Sequence, residues 1–484
     1  MNILRSLFVI AIIATILSIP EIALAQQAND PGNISNTSQD NSQTTPPNNS
    51  KPTSQKVEEP TNSHFKSQAV NQALGQQSEP ARRVPAFIDS PPFPSGEHLI
   101  GGTSPIGAPD TSNYDYFLMK TLSRTPAGDF LKKHRIKIYG WADVGGNVSS
   151  STHNNFPAAY PVFSNRVDLD QVVLNIERIP DTVQTDHPDW GFRVSNFYGI
   201  DYRFTTAKGY FSNQLLKKNR QYGYDPILFY FDYYLPKIGK GTNIRVGRFL
   251  SIPDIEAQLA PDNYTYTHSL LYSYDIYTQT GAVVSTKLNN QWTVQGGLSV
   301  GNDIAPWNHG VKPTGLAGLQ WISKNNKDSI YLVADSINNG RYAYNNVQQY
   351  NATWSHKFNE RIHTRTEALY MWERDVPASK LPTGICSGSS CFINEWAIVN
   401  YLLFKLSKKN FLTIRNEYMN DIQGQRTGYA TSYSSHGIGL THWFTSWLGF
   451  RPEFRYEHSY DRPAYNNGTR QNQFMFATDL IVRF

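Results

Sequence analysis

The ionisable side chains of this chain fall on one parity of segments whose other parity is apolar. Arg193, Arg203, Arg245, Arg361, Arg365, Arg415, Arg451 and Arg455 supply the cations. Asp201, Glu367, Glu417, Glu453 and Glu457 supply the anions on the same faces. Charges of both signs along one wettable face can line a water-filled path and bias which ions pass, with no bond made or broken. The mixture predicts weak selectivity, tilted toward anions. The same residues can also pair with each other as wall structure.

Bond-making chemistry finds thinner material. Ser434-Ser435-His436 offers a nucleophile and a base for a lipid hydrolase on an outer wall, with no evident orienting partner in the sequence. His268 with Asp262 and Asp275 outlines a rim protease only faintly. The chain has no Gly-rich phosphate loop and no His/Cys cluster at metal-ligand spacing, so neither a cofactor nor a metal is expected. Cys386 and Cys391 stand alone in Cys-Ser-Gly-Ser-Ser-Cys. For an exported chain they are expected to form a small loop disulfide.

Charges restricted to one parity require strands, because only a period of two sends neighbours to opposite faces. Trp190, Phe192, Val194, Tyr198, Ile200, Tyr202 and Phe204 alternate with Arg193, Ser195, Asp201 and Arg203. Leu448, Phe450, Phe454 and Tyr456 alternate with Arg451, Glu453, Arg455 and Glu457. From residue 135 to 484 about 16 such segments follow one another, each near the ~10 residues of a tilted membrane strand. They begin near Ile136, Val167, Trp190, Ile227, Ile244, Leu271, Trp292, Gly315, Ile330, Val347, Ile362, Trp396, Leu412, Ser432, Leu448 and Phe474.

Loop lengths sort by the same parity. Tight connections at Asn289-Asn290, Asn325-Asn326-Lys327-Asp328, Asn359-Glu360, Lys408-Lys409-Asn410 and Thr445-Ser446 follow even-numbered segments. Long stretches at 149–164, 205–225, 251–269, 301–313, 374–394 and 457–471 follow odd ones. A closed antiparallel transmembrane β-barrel with short turns at one end and long loops at the other has this alternation. An even strand number then puts both termini on the periplasmic side. The longer connection at 179–189 breaks the pattern.

The ends agree. Arg5, the apolar run Leu7–Ile19 and Ala23-Leu24-Ala25 read as a secretory signal over 1–25. Residues 26–85 are polar and read as a disordered periplasmic linker. Within 86–134, a coil precedes one or two short amphipathic helices around Tyr114–Leu122 and Phe130–Leu131, which would cap, partly plug or lie outside the barrel. Mean hydropathy is −0.48 although 13% of residues are aromatic. Alternating strands give that combination, and so does a secreted soluble β-protein. A net charge of only +5 argues against a nucleic-acid binder.

The last segment, Gln473–Phe484, ends on an aromatic residue and so resembles the closing strand of Gram-negative outer-membrane barrels. Tyr139-Gly140-Trp141, Gly199-Ile-Asp201-Tyr-Arg203, Gly247-Arg248-Phe249, Asp254-Ile-Glu256 and Asn263-Tyr264-Thr265-Tyr266-Thr267 together resemble the OmpL-like β-barrel porin family. The resemblance runs over roughly 115–484 and departs at Asp254, where the family pattern has a glycine. It implies an outer-membrane barrel through which small hydrophilic solutes diffuse. Likeness to general porins further implies a homotrimer. It also implies that the third long loop turns inward, with Asp254, Glu256 and Asp262 forming a constriction opposite an arginine ladder. A surface adhesin with a plugged lumen is the alternative from another class, and an outer-membrane hydrolase a third.

Overall fold

In the computed structural model the described residues are 106–107, 117–158, 160–251 and 255–484. The signal and linker segments, most of 86–116, and Asp254 lie outside them.

Alternation along the chain becomes a wall. The first six strands are β1 (Lys137–Ser149), β2 (Val167–Arg178), β3 (Asp189–Gly199), β4 (Gly223–Leu235), β5 (Thr242–Leu250) and β6 (Thr278–Lys287). Next come β7 (Trp292–Asn302), β8 (Thr314–Ile322), β9 (Asp328–Ile337), β10 (Gln348–Lys357), β11 (Ile362–Pro377) and β12 (Ser390–Lys405). The last are β13 (Asn410–Asp421), β14 (Thr431–Trp443), β15 (Leu448–Phe450), β16 (Glu453–Ser459) and β17 (Asn472–Arg483). Sequential neighbours pair antiparallel throughout, and β1 pairs with both β2 and β17, so the sheet has no edge. β15 and β16 share one position between β14 and β17, interrupted at Arg451-Pro452, where the proline has no amide to donate. The seventeen segments therefore make sixteen staves.

Closure depends on one glycine. Phe484 N–H donates to the Gly140 carbonyl at 2.9 Å, and Gly140 N–H returns a bond to Phe484 at 3.0 Å. A Cβ at Gly140 would lie 2.7 Å from the Phe484 ring and 2.1 Å from the Val173 carbonyl oxygen.

Burial is inverted relative to a water-soluble sheet. Outward Val148 and Leu298 are 68% and 71% exposed, while inward Arg245 and Arg415 are 1% and 0% exposed. Apolar side chains outside and charges inside put hydrocarbon around the wall. Trp190 stacks between Phe192 and Phe231 toward the end with short turns. Trp396–Tyr418 and Tyr456–Phe474 pair toward the end with long loops. Aromatic residues near both rims of the apolar band are the usual interface anchors. Among the described residues no helix is long and apolar enough to cross a membrane.

Two short helices precede the barrel, α1 (Phe117–Leu122) and α2 (Pro126–Lys133). Ile138 N–H meets Met119 Sδ at 3.3 Å, and Arg178 Nε donates to the His134 carbonyl at 3.2 Å, which ties both helices to the turn end. Phe117 and Phe130 remain exposed.

Three sequence expectations are corrected. The sixth strand begins at Thr278, and Leu271 is buried in a helix of the preceding loop, α3 (Leu270–Tyr274). The third strand stops at Gly199, whose φ of +154° and close approach to the Asp170 carbonyl (2.0 Å from an added Cβ) exclude other residues. Beyond it Arg203 belongs to a helical turn, Tyr202–Thr205, and is not on the wall. Arg361 is exposed in the turn before β11: Asn359 Oδ1 accepts from the amides of Arg361 and Ile362 (2.8 and 3.1 Å), while the Arg361 carbonyl accepts from Lys405 N–H at 2.8 Å.

Candidate functional site: a third loop held inside a charged wall

The connection between β5 and β6 runs inward. From Ile255 to Ile276 every residue is buried except half-buried Asp262 and Tyr274. Pro261 starts a tight turn at Ala260–Asp262, and Ser269 caps α3 by accepting from Tyr272 N–H at 3.1 Å. A loop without ladder partners cannot be buried unless something else satisfies its amides and carbonyls.

The wall charges do that. Glu367 on β11 accepts from Ile255 N–H at 3.0 Å. Gln171 on β2 accepts from Ala260 N–H and donates to the Gln258 carbonyl, both at 3.0 Å. Arg451 donates to the carbonyls of Ala260 and Asn263 at 2.7 and 3.2 Å. Glu453 accepts from the amide and hydroxyl of Thr267 at 2.9 and 2.8 Å. Arg415 donates to the Thr267 carbonyl at 2.6 Å and to Glu453 at 3.0 Å. Arg455 donates to the His268 carbonyl, Glu417 accepts from Leu271 N–H, and Arg365 donates to the Tyr264 hydroxyl at 2.8 Å.

Arg415, Arg451 and Arg455 each also have an acid beside them. Arg451 chelates Asp479 through Nε at 3.0 Å to both oxygens, and Arg455 lies 2.6 Å from Glu457. Further toward the turn end, Arg245 holds Asp232 by two bonds of 2.9 Å and stacks 3.5 Å from the Tyr230 ring centroid. Arg193 reaches Ser195 at 3.0 Å and Glu177 at 3.7 Å. Pairing is what makes such deep burial of charge tolerable. Gln171, Glu177, Asp232 and Asp479 were not singled out in the sequence; all sit on inward parities, which was the available signal.

Of the three constriction acids, Asp254 lies outside the described residues and Asp262 is half-buried in the tight turn. Glu256 turns back into its own loop, accepting from Ser269 N–H at 3.0 Å, contacting His268 Nδ1 at 2.8 Å and taking the Tyr401 hydroxyl from β12. Burial pushes the Glu256 carboxyl up, but the His268 contact, Arg415 and the Ser269 amide outweigh it and hold it below the usual range. Burial pushes the His268 imidazole down more strongly than Glu256 raises it. Its ring lies 3.7 Å from that of Tyr160, in the first long loop. Asp201, just past β3, is raised to about 7 by burial, with Gln171 donating to it at 3.1 Å as the main opposing influence.

The outer wall gives His436 a partner that its sequence neighbourhood lacked: Asn416 Oδ1 on β13 lies 2.9 Å from His436 Nδ1. Ser434 shares that outward parity, but its Oγ takes the Tyr460 hydroxyl at 3.1 Å, and Ser435 is buried on the opposite face. No hydrogen bond joins either serine to His436 among the described residues. In the loop after β11, Cys386 and Cys391 are disulfide-bonded with Cα atoms 5.7 Å apart. Among the described residues no group of His, Cys, Asp and Glu is arranged to hold a metal ion.

A closed sixteen-stave barrel, apolar outside, charged inside and with an inward third loop, defines an outer-membrane porin. The family described as "Putative beta-barrel porin-2, OmpL-like" matches residues 135–484, and the chain belongs to that family. Among solved structures the chain is similar to the anion-selective porin from Comamonas acidovorans, at 9% identity and TM-score 0.49, covering 72% of this chain and 99% of that one. It is similar to the outer membrane channel DcaP of Acinetobacter baumannii at 9% identity and TM-score 0.46, covering 72% and 97%. It is also similar to OprB of Pseudomonas putida at 12% identity and TM-score 0.47, covering 75% and 97%. No curated protein matches the chain.

Proposed function

We propose that this porin passes small hydrophilic solutes by passive diffusion along a charge-lined aqueous path narrowed by the third loop. The observation that carries the reading is the interior placement of Arg193, Asp201, Arg245, Arg365, Glu367, Arg415, Glu417, Arg451, Glu453 and Arg455, of which Glu367, Arg415, Glu417, Arg451, Glu453 and Arg455 bond to that loop's backbone. Glu256 works as an anchor of the loop, not as a selectivity acid. Both termini lie on the periplasmic side, residues 1–25 direct export, 26–85 form a periplasmic tether, and the mature chain assembles as a homotrimer. It is a channel and not an enzyme.

A plugged structural or adhesive barrel is a second reading, favoured by how completely the third loop and the wall cover each other. Reconstitution in planar bilayers separates the two. Stable open steps, with swelling of liposomes graded by solute size, are expected of the channel. A purified, folded barrel that gives neither overturns it.

A further inference from the structure

We propose that the helical hairpin before the barrel, α1 and α2, lies in the membrane–water interface at the turn end and binds the acidic phospholipids of that leaflet. The inference rests on the outer-membrane reading and on the periplasmic placement of the turn end.

The helices are fastened to the lipid-facing side of the wall. Met119 Sδ meets the amide of Ile138 at 3.3 Å, and Ile138 lies across from Ile176 on the outward parity. Arg178, also outward, donates to the His134 carbonyl at 3.2 Å, and its guanidinium lies 4.2 Å from the centroid of the exposed Trp190 ring. The two helices abut at Gly128, where an added Cβ would fall 2.3 Å from the Leu122 carbonyl oxygen.

That position is a gap in the aromatic rim. Toward the turn end Trp190, Tyr233, Trp292, Phe358 and Phe444 are exposed on the outward side. On β1 and β2 the corresponding places hold Ile138, Gly140, Ile176 and Arg178. The helices set Phe117 and Phe130, 74% and 57% exposed, beside this gap. On α2, Gly128 and Leu131 are buried, whereas Ala127 and Phe130, three residues apart, share an exposed flank. A single exposed phenylalanine is ordinary. Two of them on helices that abut a lipid-facing wall extend a surface already in contact with hydrocarbon.

The charge identifies the headgroup. Residues 117–134 carry Lys120, Arg124, Lys132 and Lys133, all exposed, against Asp129 as the one acid. Helices with aromatic residues on one flank and Lys or Arg beside them rest with the flank in the acyl boundary and the cations on acidic headgroups.

The test uses the full folded chain in vesicles of phosphatidylcholine and phosphatidylglycerol. Cys386 and Cys391 are bonded to each other, so one added thiol can carry a fluorophore. On Ala127→Cys the fluorophore is expected to be quenched by phosphatidylglycerol bearing a shallow spin label and shielded from aqueous iodide. On Asp186→Cys, in the connection between β2 and β3, iodide is expected to quench it. Phe117→Ser with Phe130→Ser should give Ala127→Cys the iodide response of Asp186→Cys. Replacing Lys120, Arg124, Lys132 and Lys133 by Gln should lower quenching by spin-labelled phosphatidylglycerol relative to phosphatidylcholine about threefold. Iodide quenching on Ala127→Cys equal to that on Asp186→Cys, or lipid quenching indifferent to both sets of replacements, overturns the assignment. Leu298→Cys, on the lipid-facing side of β7, keeps the two readings apart. Absence of quenching there by a lipid labelled deep in its acyl chain counts against the outer-membrane barrel itself.

Discussion

Arg415 on β13 and Thr267 in the third loop are joined twice, Nη1 to the carbonyl at 2.6 Å and Nη2 to the hydroxyl at 2.8 Å. A wall cation thus replaces the strand partner that the loop backbone does not have. The acid beside it, Glu453, takes the Thr267 amide, so one residue of the loop is held by a complete ion pair.

Arg415→Ala should release the loop more than it weakens the barrel. Removing one partner of a buried pair costs about 3–5 kcal/mol, because the remaining charge is left uncompensated. Single-channel recordings are expected to show larger or noisier openings, while heat-modifiable gel mobility still reports a closed sheet.

Acid should loosen the same loop. His268 has its folded pKa below 6.5, so as pH falls beneath 6.5 the unfolded chain takes the proton first and stability declines until the folded value is passed. Glu256 has its folded pKa below 4.5, so its contribution is present above 4.5 and is lost as pH falls through the folded value. Both act in one direction. His268→Gln should flatten the upper part of the pH dependence of loop-linked conductance fluctuations, and an unchanged profile would refute its role.

Asp201 works with the opposite sign. Its folded pKa is about 7 against 3.8, so its contribution is complete below 3.8 and is lost as pH rises to about 7. Asp201→Asn keeps the shape and removes the titration. Its thermal midpoint relative to the parent should rise between pH 4 and pH 7, as orders of magnitude for the two pKa values, and level off above. A constant difference across that range would contradict the assignment.

Gly140→Val should block closure. Its Cβ would fall 2.1 Å from the Val173 carbonyl oxygen and 2.7 Å from the ring of Phe484. The expected outcome is loss of the folded, heat-modifiable band in outer-membrane fractions, with the chain still synthesised.

Ser434→Ala should change no lipid chemistry, since neither nearby serine reaches His436. Liposomes carrying the parent protein are expected to release no fatty acid above the level given by the variant. Release that depends on Ser434 would reopen the hydrolase reading.

The barrel was legible along the chain because its cause is local. Hydrocarbon on one side and water on the other act on every second residue, so Leu448, Phe450 and Phe454 against Arg451, Glu453 and Arg455 report the wall without any knowledge of partners. Strand number and the alternation of turns with loops follow from the same pattern. The errors fall where local rules stop: at Gly199, where the backbone leaves the sheet and carries Arg203 with it, at Arg361, where an asparagine holds the turn, and at Leu271, whose apolar neighbours form a buried helix.

What only the tertiary structure decided is the use of the interior charges. That Arg415 meets Thr267, Arg451 meets Ala260 and Glu367 meets Ile255 depends on pairs separated by 148, 191 and 112 residues. No period or spacing encodes such pairs, because they exist only once the sheet has closed and brought its far side to the loop. For the same reason Glu256, readable as an acid in a loop, became a ligand of Ser269, His268 and Tyr401. Asn416 and His436, 20 residues apart, became neighbours on the outer wall only through strand register.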